Sequence, residues 1–321
     1  MRSFAFGVSF PCLLLAVCAA QAKDVPIYQE PGPNGSPAEE AQLLAKATAL
    51  RQAGALLDFA AVRAQLERKH CELQLPAPHT TVRSGPALWR TARAAYVRIG
   101  HLYQCKTCDQ WHLNLAGGYA IAAGGVVATC HHVVAPDDEQ MKDGFLVCAD
   151  DAGNVFPVHE VLASDAFTDV AIVRTGATAA VPLPLRVDVV PGENAFLFSD
   201  PMGSRGFFSR GIVNRFVEEV VEGTEASRVV VDVSTDWAPG SSGAGVLDEC
   251  GNAIGHVSTI STHGEQDDAP PPTEPAGQAP FGHATFLVLH HATRAHDVLA
   301  LVRTPKPAAA PAGEPPASEP R

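Results

Sequence analysis

Three short segments hold the side-chain types needed to break an acyl bond. The first is Thr129-Cys130-His131-His132-Val133-Val134 and the second is Asp165-Ala166-Phe167-Thr168-Asp169-Val170-Ala171-Ile172-Val173. The third is Trp237-Ala238-Pro239-Gly240-Ser241-Ser242-Gly243-Ala244-Gly245-Val246-Leu247. A serine hydroxyl attacks poorly until a base takes its proton. Histidine does this near neutral pH, and a buried carboxylate then holds the ring in one tautomer and stabilises its charged form. The tetrahedral intermediate also needs backbone N–H donors aimed at its oxygen. Gly240-Ser241-Ser242-Gly243 is a loop able to present them, from Gly240 and Ser242. His131 competes with His132 as base, and Ser241 with Ser242 as nucleophile.

Each segment alone has a plainer reading. A histidine beside two valines is usually structural, an aspartate ahead of an apolar run usually ends a strand, and Gly-Ser-Ser-Gly is usually a flexible turn. Their joint occurrence in the order His–Asp–Ser is what points to a catalytic triad. An α/β-hydrolase esterase would instead place its serine in G-x-S-x-G, with the acid and histidine after it. Both His132 and Asp169 precede Ser242.

The elements around these segments read as short strands separated by turns. Residues 119–129 give strand, Gly124-Gly125 turn, strand. Runs at 145–148 and 155–161 flank the turn Asp151-Ala152-Gly153-Asn154. Further strands are expected at 170–173, 195–198, 211–217 and 228–233, with a hairpin over 246–259 and a last strand at 286–289. Repeated short strands with turn signals predict a mainly β, barrel or sandwich architecture from about residue 88 to 302. Before it, apolar residues at helical spacing predict a helical extension over 37–71, opened by a Ser36–Glu39 capping box and split near Gly54. A short helix is expected to close the fold at 293–302. An acidic, Pro-rich loop at 264–281 and a Pro/Ala-rich tail at 304–321 complete the chain.

These segments resemble the bacterial trypsin-like peptidases related to the HtrA proteases. That family carries T-x-x-H-V-V, T-D-[IV]-A-[IV] and P-G-[NS]-S-G-[GA], matched here at 129–134, 168–172 and 239–244. Phe198-Ser199-Asp200-Pro201-Met202-Gly203, then Ser209-Arg210-Gly211-Ile212-Val213, and Asn252-Ala253-Ile254-Gly255 are similar to its stretches on either side of the nucleophile. The resemblance implies two six-stranded antiparallel β-barrels with the active site between them. It implies His132 as general base, Asp169 as its orienting carboxylate, Ser242 as nucleophile, and Gly240 and Ser242 as the oxyanion hole. It further implies Asp236, six residues before Ser242, at the base of a pocket for Arg or Lys, the alternative being a cap or strand-end role. Ser258-Thr259-Ile260 would pair with the substrate backbone. Ala244-Gly245 stands where the family usually has Gly-Pro, and Cys130 is unusual two residues before the base. Only a Pro-rich tail follows residue 302, so a stand-alone peptidase without a PDZ domain is expected, its peptidase domain spanning 88–303. A catalytically silent binding module is the alternative function.

Composition narrows the partners. The 321 residues carry a formal net charge of -12 without a basic run, which disfavours nucleic acid and anionic membrane surfaces. Arg2, the apolar run 4–20 and Ala20-Gln21-Ala22 read as a signal peptide cleaved near Ala22, and predict a periplasmic or secreted protein acting on peptide or protein substrates. No later run approaches the roughly 20 apolar residues needed to span a bilayer. Residues 23–87 would then be linker and helical extension. Of eight cysteines, Cys12 and Cys18 would leave with the signal. The other six, Cys71, Cys105, Cys108, Cys130, Cys148 and Cys250, are expected to form disulfides in an oxidising compartment. For Cys105-Lys106-Thr107-Cys108 a local disulfide is the expected reading. Zinc-finger spacing to a second cysteine pair is lacking, and a redox motif would need a thioredoxin-like context. No metal and no organic cofactor are expected.

Overall fold

The computed structural model describes residues 25–28, 37–137, 139–221, 223–264 and 285–305. The expected signal peptide, the Pro-Gly linker with Ser36, most of the Pro-rich loop and most of the tail lie outside the described residues. The architecture is mainly β, with two antiparallel barrels, as the sequence predicts.

The first barrel comprises β3 (Tyr96–Cys105), β4 (Trp111–Ala122), β5 (Val126–Thr129), β6 (Met141–Ala149), β7 (Val155–Asp165) and β8 (Val170–Thr175). Its strands run in the order β6-β3-β4-β5-β8-β7, and a β6–β7 pairing closes the ring. The second comprises β9 (Asn194–Ser199), β10 (Phe207–Val220), β11 (Ser227–Val233), β12 (Gly245–Leu247), β13 (Ala253–Gly264) and β14 (Thr285–Arg294), closed in the order β10-β11-β14-β13-β12-β9. Closure removes the unpaired edges that an open sheet would leave. Gly124 and Gly125 turn β4 into β5 with φ of +76° and +74°, the left-handed geometry of a tight hairpin that glycine adopts without steric cost.

Ile99, Leu146, Val158, Val161 and Val173 fill the first barrel. A second cluster joins Tyr119, Ile121 and Ile172 of that barrel to Leu197, Phe198, Val246 and Ile254 of the other. The cleft between the barrels is therefore floored by continuous apolar packing, each large aliphatic contributing roughly 1.5–3 kcal/mol by its removal from water.

The N-terminal helical region is stitched into this frame. Helix α1 (Pro37–Gln52) buries Leu43 and Ala47 and ends where Gly54 takes φ +67°. Strand β1 (Leu57–Asp58) then pairs with β6, and Asp58 accepts the Ala61 N–H at 2.7 Å to cap α2 (Phe59–Gln65). Strand β2 (Cys71–Glu72) pairs in parallel with the terminal strand β15 (Val302–Arg303), which follows the closing helix α5 (Ala295–Ala300).

Besides the short strands β1 and β2, a helix departs from the sequence reading. The β-like texture assigned from residue 88 begins instead as helix α3 (Gly85–Ala95). Ser84 holds the N-cap position and Pro86 falls in the first turn, where a missing N–H costs nothing. Leu88, Ala92 and Ala95 then form one buried stripe. The alanines that supply it carry little pattern of their own, so the helix was masked by the strand that follows.

Candidate active site

The residues of the three segments meet at the interface of the barrels. After β5, the chain makes a one-turn helix, α4 (His131–Val134), anchored by buried Val133 and Val134. That anchoring turns the two histidines in different directions. His131 Nδ1 lies 2.8 Å from Ser164 Oγ, and burial lowers its pKa despite Asp169 nearby. His132 Nδ1 lies 3.0 Å from both Asp169 oxygens, with the ring 49% exposed. Because Nδ1 faces a carboxylate, it carries the proton, and Nε2 is left as the acceptor.

Asp169 is placed by the β7–β8 turn. Asp165 organises that turn, accepting the Phe167 N–H at 3.3 Å and the Thr168 hydroxyl at 2.7 Å. Asp169 itself takes φ +59°, a left-handed conformation that Asp tolerates better than most residues. Its carboxylate is buried and accepts the His132 N–H at 3.1 Å and the Ser258 hydroxyl at 2.7 Å. Burial pushes its pKa upward, but the hydrogen bond and charge of His132 and the Ser258 bond outweigh burial, so the carboxyl stays below the usual carboxylate range. His256, fully buried on β13, sets Nε2 3.2 Å from the Asp169 carbonyl; burial lowers its pKa.

The serine loop lies between β11 and β12. Ser241 is fully buried, its hydroxyl donating to Ser199 at 3.0 Å. Ser242 is half-buried and lines a cavity of about 330 Å³ together with His132 and Gly240. Both barrels grip this loop: Gly117 N–H of the first donates to the Ser242 carbonyl at 2.7 Å, while Gly243 N–H donates to the Val257 carbonyl of the second at 2.8 Å. The Pro239 carbonyl accepts the Met202 N–H at 2.8 Å. In a trans peptide the following N–H points the opposite way, so this bond orients the Gly240 N–H. Neither Gly240 nor Ser242 spends its N–H on a backbone partner among the described residues.

Gly243 has φ +82°, and a Cβ there would stand 2.2 Å from Thr129 Oγ1 and 2.4 Å from the Gly117 carbonyl. Gly243→Ala is therefore expected to destabilise the fold by at least about 2 kcal/mol, from the left-handed backbone alone roughly 1–2 kcal/mol and the rest from the clash. Denaturant unfolding reads this directly; an unchanged midpoint would contradict the packing described.

Sequence reasoning placed Ser258, Thr259 and Ile260 together on a substrate-binding edge. They do lie together on β13, where Thr259 and Ile260 are exposed and register with His291 and His290 of β14. Ser258 differs, being buried against Asp169. Its hydroxyl bond was invisible in sequence because it spans 89 positions. Ser258→Ala is expected to lower kcat by roughly 10–100-fold, since a hydrogen bond to a charged group contributes about 1.5–3 kcal/mol, with KM little changed. A matching rise in KM alone would assign Ser258 to substrate binding instead.

Asp236 is exposed, its backbone N–H held by Ser209 Oγ at 3.1 Å, and it does not line the cavity shared by His132 and Ser242. Trp237 beside it is buried with its ring 4.6 Å from His290. The Gly117-Gly118 pair was also missed. Gly117 admits no Cβ, because Ala244 N lies 2.8 Å from where one would stand; a glycine inside a strand is the available signal of such close approach.

The expected disulfides do not form: all six cysteines are free thiols. Cys130 is buried and donates to the Val257 carbonyl at 3.0 Å, Cys71 bonds to the Leu301 carbonyl, and Cys148 is buried in β6. Each is consumed by a different part of the fold. Burial, then neighbouring Asp169, pushes the Cys130 thiol well up, so it remains protonated beside the site.

Two closed β-barrels with this site between them are the architecture of a trypsin-like peptidase. Residues 116–255, which include His132, Asp169 and Ser242, match the trypsin-like peptidase domain family. Among solved structures, it is similar to Rv3671c from Mycobacterium tuberculosis H37Rv, crystallised in an inactive form as a serine-to-alanine mutant. That likeness is 16% in sequence identity and covers 71% of this chain and 95% of the other, with a TM-score of 0.48. No curated protein matches the chain.

Proposed function

We propose that this protein is an exported serine endopeptidase that hydrolyses peptide bonds through an acyl-enzyme. The observation that carries this reading is the His132 ring, bound through Nδ1 to Asp169 and facing the cavity that Ser242 lines. In this reading Ser242 Oγ attacks the scissile carbonyl while His132 Nε2 takes its proton, and the imidazolium formed is stabilised by Asp169. Gly240 and Ser242 N–H donate to the oxyanion. His132 then protonates the leaving amine, and water enters by the same route to release the acid. The edge of β13 at Thr259 and Ile260 supports a strand-like docking of the substrate backbone. No helix among the described residues is long and apolar enough to cross a membrane, and export rests on the leader-like residues 1–22.

A fluorophosphonate probe tests the proposal. The folded protein is expected to label covalently at Ser242, with labelling abolished by His132→Ala. A folded protein that resists the probe would mean a silent module. A peptide library run alongside reads the primary pocket: dependence on Arg or Lys before the cut would bring Asp236 into it, and its exposed position leads us to expect none.

A further inference from the structure

The β3–β4 hairpin carries a second group of chemistry-bearing residues, separate from the site above. Cys105 ends β3, Cys108 lies in the turn, and His112 is the second residue of β4. Their Sγ, Sγ and ring nitrogen all lie within 4.8 Å of one another, and Cys108 Sγ is 3.0 Å from His112 Nε2. Tetrahedral zinc, at about 2.3 Å from sulfur and 2.0–2.1 Å from nitrogen, spaces its donors roughly 3.5–3.8 Å apart. The sulfur–nitrogen pair at 3.0 Å is closer than that spacing and the other separations do not exceed 4.8 Å, so small side-chain adjustments would admit the ion.

The backbone of the turn is also shaped for thiolates. The Thr107 N–H donates to Cys105 Sγ at 3.4 Å. Asp109, immediately after the second cysteine, takes φ +60° and donates its N–H to the Cys105 carbonyl at 3.0 Å. This folds the chain back so that both sulfurs and the imidazole converge on one point. A disulfide would need neither the amide aimed at sulfur nor the histidine.

We infer that Cys105, Cys108 and His112 form a binding site for a thiolate-preferring divalent metal ion, zinc(II) foremost. Two thiolates and one imidazole suit zinc over the oxygen-seeking cations. Asp109 is already engaged by Lys142 at 2.9 Å and Gln104 at 3.1 Å, and Cys108 and His112 are exposed. The fourth position therefore falls to water. The hairpin is tied to the rim of the Ser242 cavity: Lys106 N–H donates to the Gln140 carbonyl at 2.9 Å, and Gln140 and Met141 line that cavity. A metal here would brace one wall of the cleft while taking no part in the chemistry.

The test uses the full chain, reduced, chelator-treated and titrated with cobalt(II) under anaerobic conditions, then with zinc(II). Stoichiometric thiolate-to-cobalt charge transfer, with the visible bands of tetrahedral cobalt, is expected, and zinc should bleach both. Cys108→Ser and His112→Ala, both at exposed positions and checked by circular dichroism, should each weaken zinc binding. The loss should exceed the roughly 10–100-fold that removal of a mere supporting hydrogen bond costs. Cys130→Ser should keep the bands, because its sulfur belongs to the other cluster, with His132 and Asp169. Absent bands in the folded protein, or bands that survive Cys108→Ser, would overturn the assignment. So would a Cys105–Cys108 disulfide in protein purified with zinc present.

Discussion

Replacement of Ser242 by Ala is expected to lower kcat/KM for a peptide substrate on the order of 10⁶-fold, the scale on which triad serines fail. At about 1.4 kcal/mol per decade this is a loss of roughly 8 kcal/mol of transition-state stabilisation. The size follows from losing the covalent route itself, while the N–H groups of Gly240 and Ser242, the proposed oxyanion donors, remain. The neighbouring serine gives the sharpest control. Ser241→Ala removes a buried hydroxyl that donates to Ser199, so it is expected to cost about 1 kcal/mol of stability and little rate. Stability of Ser242→Ala should stay within about 0.5 kcal/mol of the parent, as for a substitution that opens no cavity. Comparable rate losses from both substitutions would show that the loop matters as a whole and that Ser242 is not the nucleophile.

Asp169→Asn is expected to lower kcat by about 10⁴-fold, the scale known for that change in a serine-protease triad. An amide presents one acceptor oxygen where the carboxylate presents two, and Asp169 now serves His132 Nδ1, the His132 N–H and the Ser258 hydroxyl. The imidazole loses the partner that keeps its proton on Nδ1, and its charged form loses its counter-ion. The same carboxylate makes a pH-dependent contribution to stability. Its folded pKa is held below the unfolded value, which is near 4 for aspartate. Its stabilisation is therefore present in full above that value and is lost as pH falls below it, through the folded pKa. Asp169→Asn should flatten the acid limb of the unfolding free energy below about pH 4 and leave the slope at neutral pH unchanged. An unchanged acid limb would mean that His132 and Ser258 do not hold the carboxylate in solution.

Barrel strands with alternating or wholly apolar runs were legible because their pattern is local. So was the Gly124-Gly125 hairpin, whose left-handed backbone only glycine takes easily. Helix α3 was not, because its buried stripe of Leu88, Ala92 and Ala95 is short and runs straight into Tyr96 of β3. The joining of the N-terminal region to the barrels was equally hidden. The two-residue strands β1 and β2 exist only through partners on β6 and β15, and two residues carry no period. The six cysteines misled in the opposite direction: their even number suggested disulfides, whereas the fold sends Cys71, Cys130 and Cys148 to separate places.

What the sequence by itself determined is the order His–Asp–Ser, the glycines that free the serine loop, and the barrel strands that carry them. These follow from short-range sterics and side-chain pattern. The family pattern already favours His132 over His131 and Ser242 over Ser241, and tertiary structure adds how the members of each pair diverge. In each pair one member turns into the core, toward Ser164 or Ser199, and the other faces the cleft, a choice made by packing across two barrels. The Ser258 bond to Asp169, the Gly117 grip on Ser242 and the convergence of Cys105, Cys108 and His112 are likewise products of chain closure. Each depends on backbone segments or turn geometry that no spacing of residue types encodes.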